Sequence, residues 1–218
     1  MYIAIEGVIG VGKTTLARLL QPAFQAELVL EIFEENPFLS DFYADRARYA
    51  FQTQIFFLLS RYRQQRQNVA MALATGKNLI TDYTFAKDSI FARINLCGDE
   101  LEMYHRVHEA LAEKIPQPDL VVYLRADTDV LMQRIALRDR PYERHMERTY
   151  IEELHRAYEE FFSKPYDHTP VLAIDTNHLN VVQNPEHLRH IENRIRQVLG
   201  IPPYQPTLPI ETDRPPRS

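Results

Sequence analysis

Five short apolar runs punctuate the chain: YIAIE (2–6), LVLE (28–31), LITD (79–82), DLVVYL (119–124) and PVLAID (170–175). Their apolarity is continuous rather than alternating, which fits strands covered on both faces and hence a parallel sheet. Segments with helical spacing lie between them. Residues 13–21 bring Leu16, Leu19 and Leu20 to one side and stop near Pro22. Residues 46–75 read as one long helix closed by Gly76. Further helices are predicted over 85–96, 99–114, 127–138, 147–163 and 186–199. The one over 127–138 opens on a capping aspartate or threonine and is followed by Pro141. Strand and helix alternate, which predicts an α/β fold with a five-stranded parallel sheet and helices on both faces.

The stretch GVIGVGKTT (7–15) follows the first predicted strand directly and opens the first predicted helix. Gly7, Val8, Ile9, Gly10, Val11, Gly12, Lys13 and Thr14 match G-x-x-x-x-G-K-[ST] in the context that motif requires, and Thr15 continues the turn. Glycines let successive backbone N–H groups turn inward around phosphate oxygens, and the helix start adds its positive dipole end. Lys13 can reach the terminal phosphates, and the Thr14 hydroxyl can ligate Mg²⁺. The stretch is a cradle for a nucleotide such as ATP, and the fold becomes a P-loop, kinase-like three-layer arrangement.

Composition narrows the setting. A formal charge of -5 argues against a nucleic-acid polyanion as partner. One cysteine, Cys97, excludes a disulfide framework and a multi-cysteine zinc site. No apolar run reaches the ~18 residues of a membrane span, and MYIAIEG has no secretory pattern, so a cytoplasmic enzyme is expected. Residues 1–200 are read as one domain with a lid at about 138–146. The proline-rich 201–218 is read as an extended or disordered tail.

The acceptor of the phosphoryl group needs further clues. The guanine motif of switch GTPases and the apolar-Asp-Glu run of ATPase motors are absent. A basic cluster around Arg138 in a short chain suits a small-molecule kinase with an arginine lid. The segments EENPFLSDFY, FQTQIFFLLSRYR, TDYTFAKDSIFA and RIALRDRPYE follow the phosphate loop in order. Together they resemble the deoxynucleoside kinase family, in particular its bacterial deoxyadenosine/deoxyguanosine kinase branch, over residues 1 to about 200.

The resemblance implies transfer of a phosphoryl group from ATP·Mg²⁺ to a deoxynucleoside 5'-hydroxyl, for nucleotide salvage. Glu31, expected at the end of the second strand, would be the base, with Glu34 and Glu35 as neighbouring alternatives. Gln54 would bind the base, with Gln52 as a rival that its nine-residue spacing from Arg61 turns elsewhere. Arg61 and Asp88 match an Arg–Asp pair of members preferring purine deoxynucleosides or deoxycytidine; thymidine-preferring members have apolar residues there. Tyr43 and Glu143 would hold the sugar 3'-hydroxyl. Among Phe33, Phe38, Phe57 and Phe85, Phe85 is the candidate to stack on the base.

Arg134, Arg138 and Arg140 would form the lid over the transferring group. Asp82 matches an acidic residue near Mg²⁺, but Tyr83 stands where the family carries an arginine. A lid arginine or Lys87 would have to replace it. IDTN (174–177) is expected near the ATP adenine. A homodimer is implied by the family and is compatible with the apolar IFFLL run. Deoxyadenosine is the first expected substrate, then deoxyguanosine and deoxycytidine. The alternatives are a thymidylate-kinase-like nucleoside monophosphate kinase, which lacks support because DRY is missing after the third strand, and a nucleotide-binding switch without transferase activity.

Overall fold

The computed structural model describes residues 1–32, 35–144, 146–166 and 168–203. The candidate base Glu34, the aromatic Phe33 and most of the expected tail lie outside them. Five strands form one sheet: β1 (Tyr2–Gly7), β2 (Ala26–Val29), β3 (Asn78–Thr81), β4 (Leu120–Arg125) and β5 (Val171–Asp175), in the order β2-β3-β1-β4-β5. All four neighbouring pairs are parallel, with Ala4 beside Thr81 and Ile5 beside Val122.

The continuous apolarity of β1 now has its cause. Ile3 and Ile5 belong to one buried cluster, with Val122 and Leu120, while Tyr2 and Ala4 belong to a second with Val29 and Leu79. Successive side chains point to opposite faces of a strand, so a strand sandwiched between helices must be apolar at both parities.

The helices are α1 (Lys13–Phe24), α2 (Leu39–Ala44), α3 (Arg46–Gln64), α4 (Ala70–Ala74), α5 (Lys87–Asn95), α6 (Gly98–Ala112), α7 (Thr128–Arg138), α8 (Arg148–Phe162) and α9 (Pro185–Val198). Helix α1 runs through Pro22 and ends only where Gln25 turns left-handed at φ 47. Proline has no backbone N–H, so α1 forgoes one intrahelical bond at Pro22, two residues before its end. The expected single helix over 46–75 is α3 and α4 joined by a wider π-helical turn, Gln65–Val69. The short α2 was not anticipated, and it carries Tyr43. Glu31 lies two residues beyond β2 rather than ending it, and Asp82 directly follows β3.

The loops after β1, β2 and β3 therefore gather at the carboxyl edge of the sheet, where order along the sheet departs from order along the chain. Ligands of open parallel sheets bind at such an edge.

Candidate active site

The phosphate loop is held from two sides. A Cβ on Gly7, at φ 144, would stand 2.4 Å from the Leu124 carbonyl oxygen of β4. A Cβ on Gly10, at φ 87, would meet Ile135 at 2.8 Å and the Leu131 carbonyl at 3.0 Å, both on α7. Both positions demand glycine by backbone angle and by space. Val8 and Val11 are buried among the core residues and anchor the loop. Gly12 precedes α1 without a capping side chain, and the first turn of α1 carries no acid. The positive end of the helix is thus left for an anion.

Lys13 Nζ donates to the carbonyls of Gly7 at 2.8 Å and Val8 at 3.3 Å. Burial, reinforced by the Lys87 ammonium, lowers its pKa to about 8 against the pull of nearby carboxylates. Beside it, Thr14 Oγ1 donates to Asp82 Oδ2 at 2.5 Å, and Asp82 Oδ1 accepts the Glu31 backbone N–H at 2.7 Å. One carboxylate therefore ties the loops after β1, β2 and β3 together.

Glu31 is the centre of a buried ionic cluster. Its Oε1 accepts from Arg61 Nε at 3.0 Å and also from Arg61 Nη2, and its Oε2 accepts from Lys87 Nζ at 2.5 Å. Burial pulls its pKa upward, but the charges and hydrogen bonds of Arg61 and Lys87 outweigh that and hold it well below the carboxylate range. Arg61 Nη1 is bonded to Asp88, which is fully buried, and its guanidinium lies 4.5 Å from the Phe57 ring centre. Gln54, also on α3, lines the same cleft with its buried Oε1 unpartnered. Gln52 is exposed, as its spacing implied, and Glu35 is exposed while Glu31 lines the cleft.

Leu39, Tyr43, Tyr142 and Glu143 also line the cleft. Tyr43 and Tyr142 stack with centroids 6.2 Å apart. Burial first, then the Tyr150 phenol and the Glu143 carboxylate, push the Tyr43 phenol well above its usual value, so it serves as a donor. Glu143 lies in a short 3-10 turn, Pro141–Glu143, and accepts from Arg138 Nε at 3.1 Å and Nη2 at 2.6 Å. Arg140 Nη1 is 3.5 Å from the same carboxylate.

Two expected site residues stand elsewhere. Phe85 does not line this cleft; its ring stacks on His108 at 4.8 Å, and the phenylalanines that do line it are Phe57 and Phe91. Residue 91 shares a helix face with residue 87, four positions earlier, which is the signal that would have found it. Arg134 does not join Arg138 and Arg140 in the cleft. It donates to the Thr176 carbonyl at 2.6 Å, the Thr176 hydroxyl at 3.0 Å and the Val11 carbonyl at 3.3 Å. It lines a second cavity of about 700 Å³ with Gly10, Gly12 and Thr15 of the phosphate loop and with Thr176 and Asn177 of the IDTN segment. One turn of α7 separates Arg134 from Arg138, so they share a helix face; Arg138 borders both cavities and Arg134 only the second.

A cleft holding an anion cradle, a carboxylate between two cations and an unpaired amide calls for comparison with known enzymes. The model of the family "Deoxynucleoside kinase" matches residues 3–200. The chain belongs to the deoxynucleoside kinase family. This kinase is 34% identical over 201 residues to the deoxyguanosine kinase of Bacillus subtilis (strain 168), covering 91% of this chain and 97% of that one. It is 34% identical over 179 residues to the deoxyadenosine kinase of Dictyostelium discoideum, covering 80% and 71%. Its fold superposes on the deoxyadenosine kinase of M. mycoides with bound dATP at a TM-score of 0.78 and 27% identity, covering 90% and 99%. It is an enzyme that phosphorylates deoxynucleosides, and among its described residues no helix is long and apolar enough to cross a membrane.

Proposed function

We propose that this kinase transfers the γ-phosphoryl group of ATP to the 5'-hydroxyl of a purine deoxynucleoside, deoxyadenosine before deoxyguanosine, with deoxycytidine behind them. The observation that carries the reading is the Glu31 carboxylate, held between Arg61 and Lys87 in one cleft with Lys13 and Gln54. The names of the relatives, deoxyguanosine and deoxyadenosine kinases, point to the same substrates.

Each group has a task. Lys13 and the N–H groups at the start of α1 bind the β- and γ-phosphates. Glu31 accepts a hydrogen bond from the 5'-hydroxyl and turns its oxygen toward the γ-phosphorus. The new O–P bond forms as the bond to the β-bridging oxygen breaks, ADP leaves, and Glu31 takes the hydroxyl proton. A carboxylate with a depressed pKa is a weak base. It suffices here because a loose transition state draws little on the nucleophile before the phosphoryl group arrives. Arg138 and Arg140 take up charge on the transferring group when they leave Glu143. Tyr43 and Glu143 hold the 3'-hydroxyl. Gln54 offers both a donor and an acceptor to a base edge, and the Arg61–Asp88 pair fixes the polarity beside it.

Two hard oxygen donors, Thr14 and Asp82, meet at the phosphate loop and suit Mg²⁺, which keeps waters and takes its other ligands from phosphates. Bound there, Mg²⁺ would neutralise charge on the β- and γ-phosphates. Among the described residues no cluster of three acidic, histidine or cysteine ligands competes as a metal centre.

We also infer a single kinase domain over residues 1–200 with its lid at about 138–146, a cytoplasmic setting, and a homodimer. The exposed Leu59 on α3 and Met103 on α6 support an apolar contact surface on adjoining helices. The test of function is a panel of deoxynucleosides, ribonucleosides and dTMP with labelled ATP. Formation of dAMP supports the reading; conversion of dTMP but of no nucleoside, or ATP hydrolysis alone, overturns it.

A further inference from the structure

Nothing in the phosphate loop explains why Glu31 needs a second cation when Arg61 already holds it. Arg61 is committed in two directions, to Glu31 and to Asp88. It binds one carboxylate oxygen of Glu31, Oε1, and leaves Oε2 to Lys87. Lys87 begins α5, is 5% exposed, and lines the cleft together with Lys13, Thr14 and Asp82. Its Nζ lies over the Phe91 ring, 5.4 Å from the centroid. Lys13 and Lys87 border one cleft, so their ammoniums share one acceptor-side space.

Tyr83 offers no cation there. It is fully buried, and its hydroxyl donates to Gln64 at 2.6 Å, away from the cleft.

We propose that Lys87 is a positioning residue for phosphoryl transfer: it pins Glu31 Oε2 so that the carboxylate presents its remaining lone pairs to the acceptor hydroxyl. A carboxylate oxygen has two acceptor sites, so Oε2 can keep Lys87 and still receive the hydroxyl proton. Without Lys87 the carboxylate can rotate about its last bond, and misorientation of a reacting group is expressed in kcat rather than in substrate affinity. The inference rests on the proposed reaction.

The experiment is a double-mutant cycle at saturating Mg·ATP with deoxyadenosine as acceptor. It compares the wild type, Lys87→Met, Glu31→Gln and the double variant, with Lys87→Arg as rescue. Lys87→Met is expected to lower kcat by about 100-fold with KM for deoxyadenosine changed less than about threefold. In the Glu31→Gln background the same substitution is expected to cost less than about threefold, because the group it positions is gone. Lys87→Arg is expected to recover at least a tenth of the wild-type kcat.

Additive losses, or a raised KM with kcat intact, overturn the inference. Should Lys87→Met melt below the assay temperature, Lys87→Arg decides: a folded variant with kcat less than a tenth of wild type overturns it. A wild type that makes no dAMP condemns the functional reading itself, whereas an active wild type with an indifferent Lys87 condemns only this role.

Discussion

Asp82 and Glu31 lie 51 residues apart and meet at 2.7 Å, the Asp82 carboxylate accepting the Glu31 backbone N–H. The same carboxylate accepts from Thr14 in the phosphate loop. The phosphate loop and the segment carrying Glu31 are thus tied to one side chain. Asp82→Asn keeps an acceptor for the Glu31 N–H but loses the charge. Its Mg²⁺ requirement should rise by about 10- to 100-fold with thermal stability near wild type. Asp82→Ala should lower kcat further, since the Glu31 N–H is then unpaired. Rates across a magnesium titration, with melting curves, check both.

Arg61 is the hub of a buried pair of carboxylates. Arg61→Met strands Asp88, which has no exposure, and should destabilise the fold by about 3–5 kcal/mol. Adding Asp88→Asn should restore part of that loss. Urea unfolding of the two variants measures the difference.

Glu143 binds Arg138 and Arg140 while standing on the cleft wall with Tyr43. If it also holds a 3'-hydroxyl, Glu143→Ala should lower kcat/KM for deoxyadenosine more than for 2',3'-dideoxyadenosine, by about 10-fold in the ratio. Equal losses for the two acceptors would assign Glu143 to the arginines alone.

Burial, with the Lys87 ammonium beside it, lowers the Lys13 pKa from the 10.5 of an ordinary lysine to about 8. The value of kcat/KM for ATP should therefore fall as pH rises through about 8 in rate profiles, because the uncharged amine binds phosphate poorly. Stability moves the other way. Between about 8 and 10.5 the unfolded chain binds a proton that native Lys13 has released, so this residue's contribution to stability rises with pH across that window and is lost as pH falls through about 8. Lys13→Met should flatten the window when urea midpoints at both ends are compared.

Several things were readable from residue order alone. The five strands and the phosphate loop are local features: apolar runs, glycine spacing and a helix start carry them. Gln54 and Arg61 could be paired because seven residues make two helical turns.

What escaped depends on distance in three dimensions. Glu6 reads as the polar end of the first strand, yet it is fully buried and accepts from Thr84, Tyr158 and Gly7, bonds that span up to 152 residues. Arg134 and Arg138 look equivalent along the chain, but Arg138 pairs with Glu143 and borders both cavities, while Arg134 is held on Val11 and Thr176 and borders only the second. That Phe85 stacks on His108 outside the cleft, and that Glu31 lines the cleft while Glu35 is exposed, follow only from tertiary packing. The sequence by itself determined which chemistry the chain carries, because that rests on residue types and local spacing. The tertiary structure decided which cation holds Glu31, because that depends on how α3, α5 and the loop after β2 converge, and no local interaction encodes their convergence.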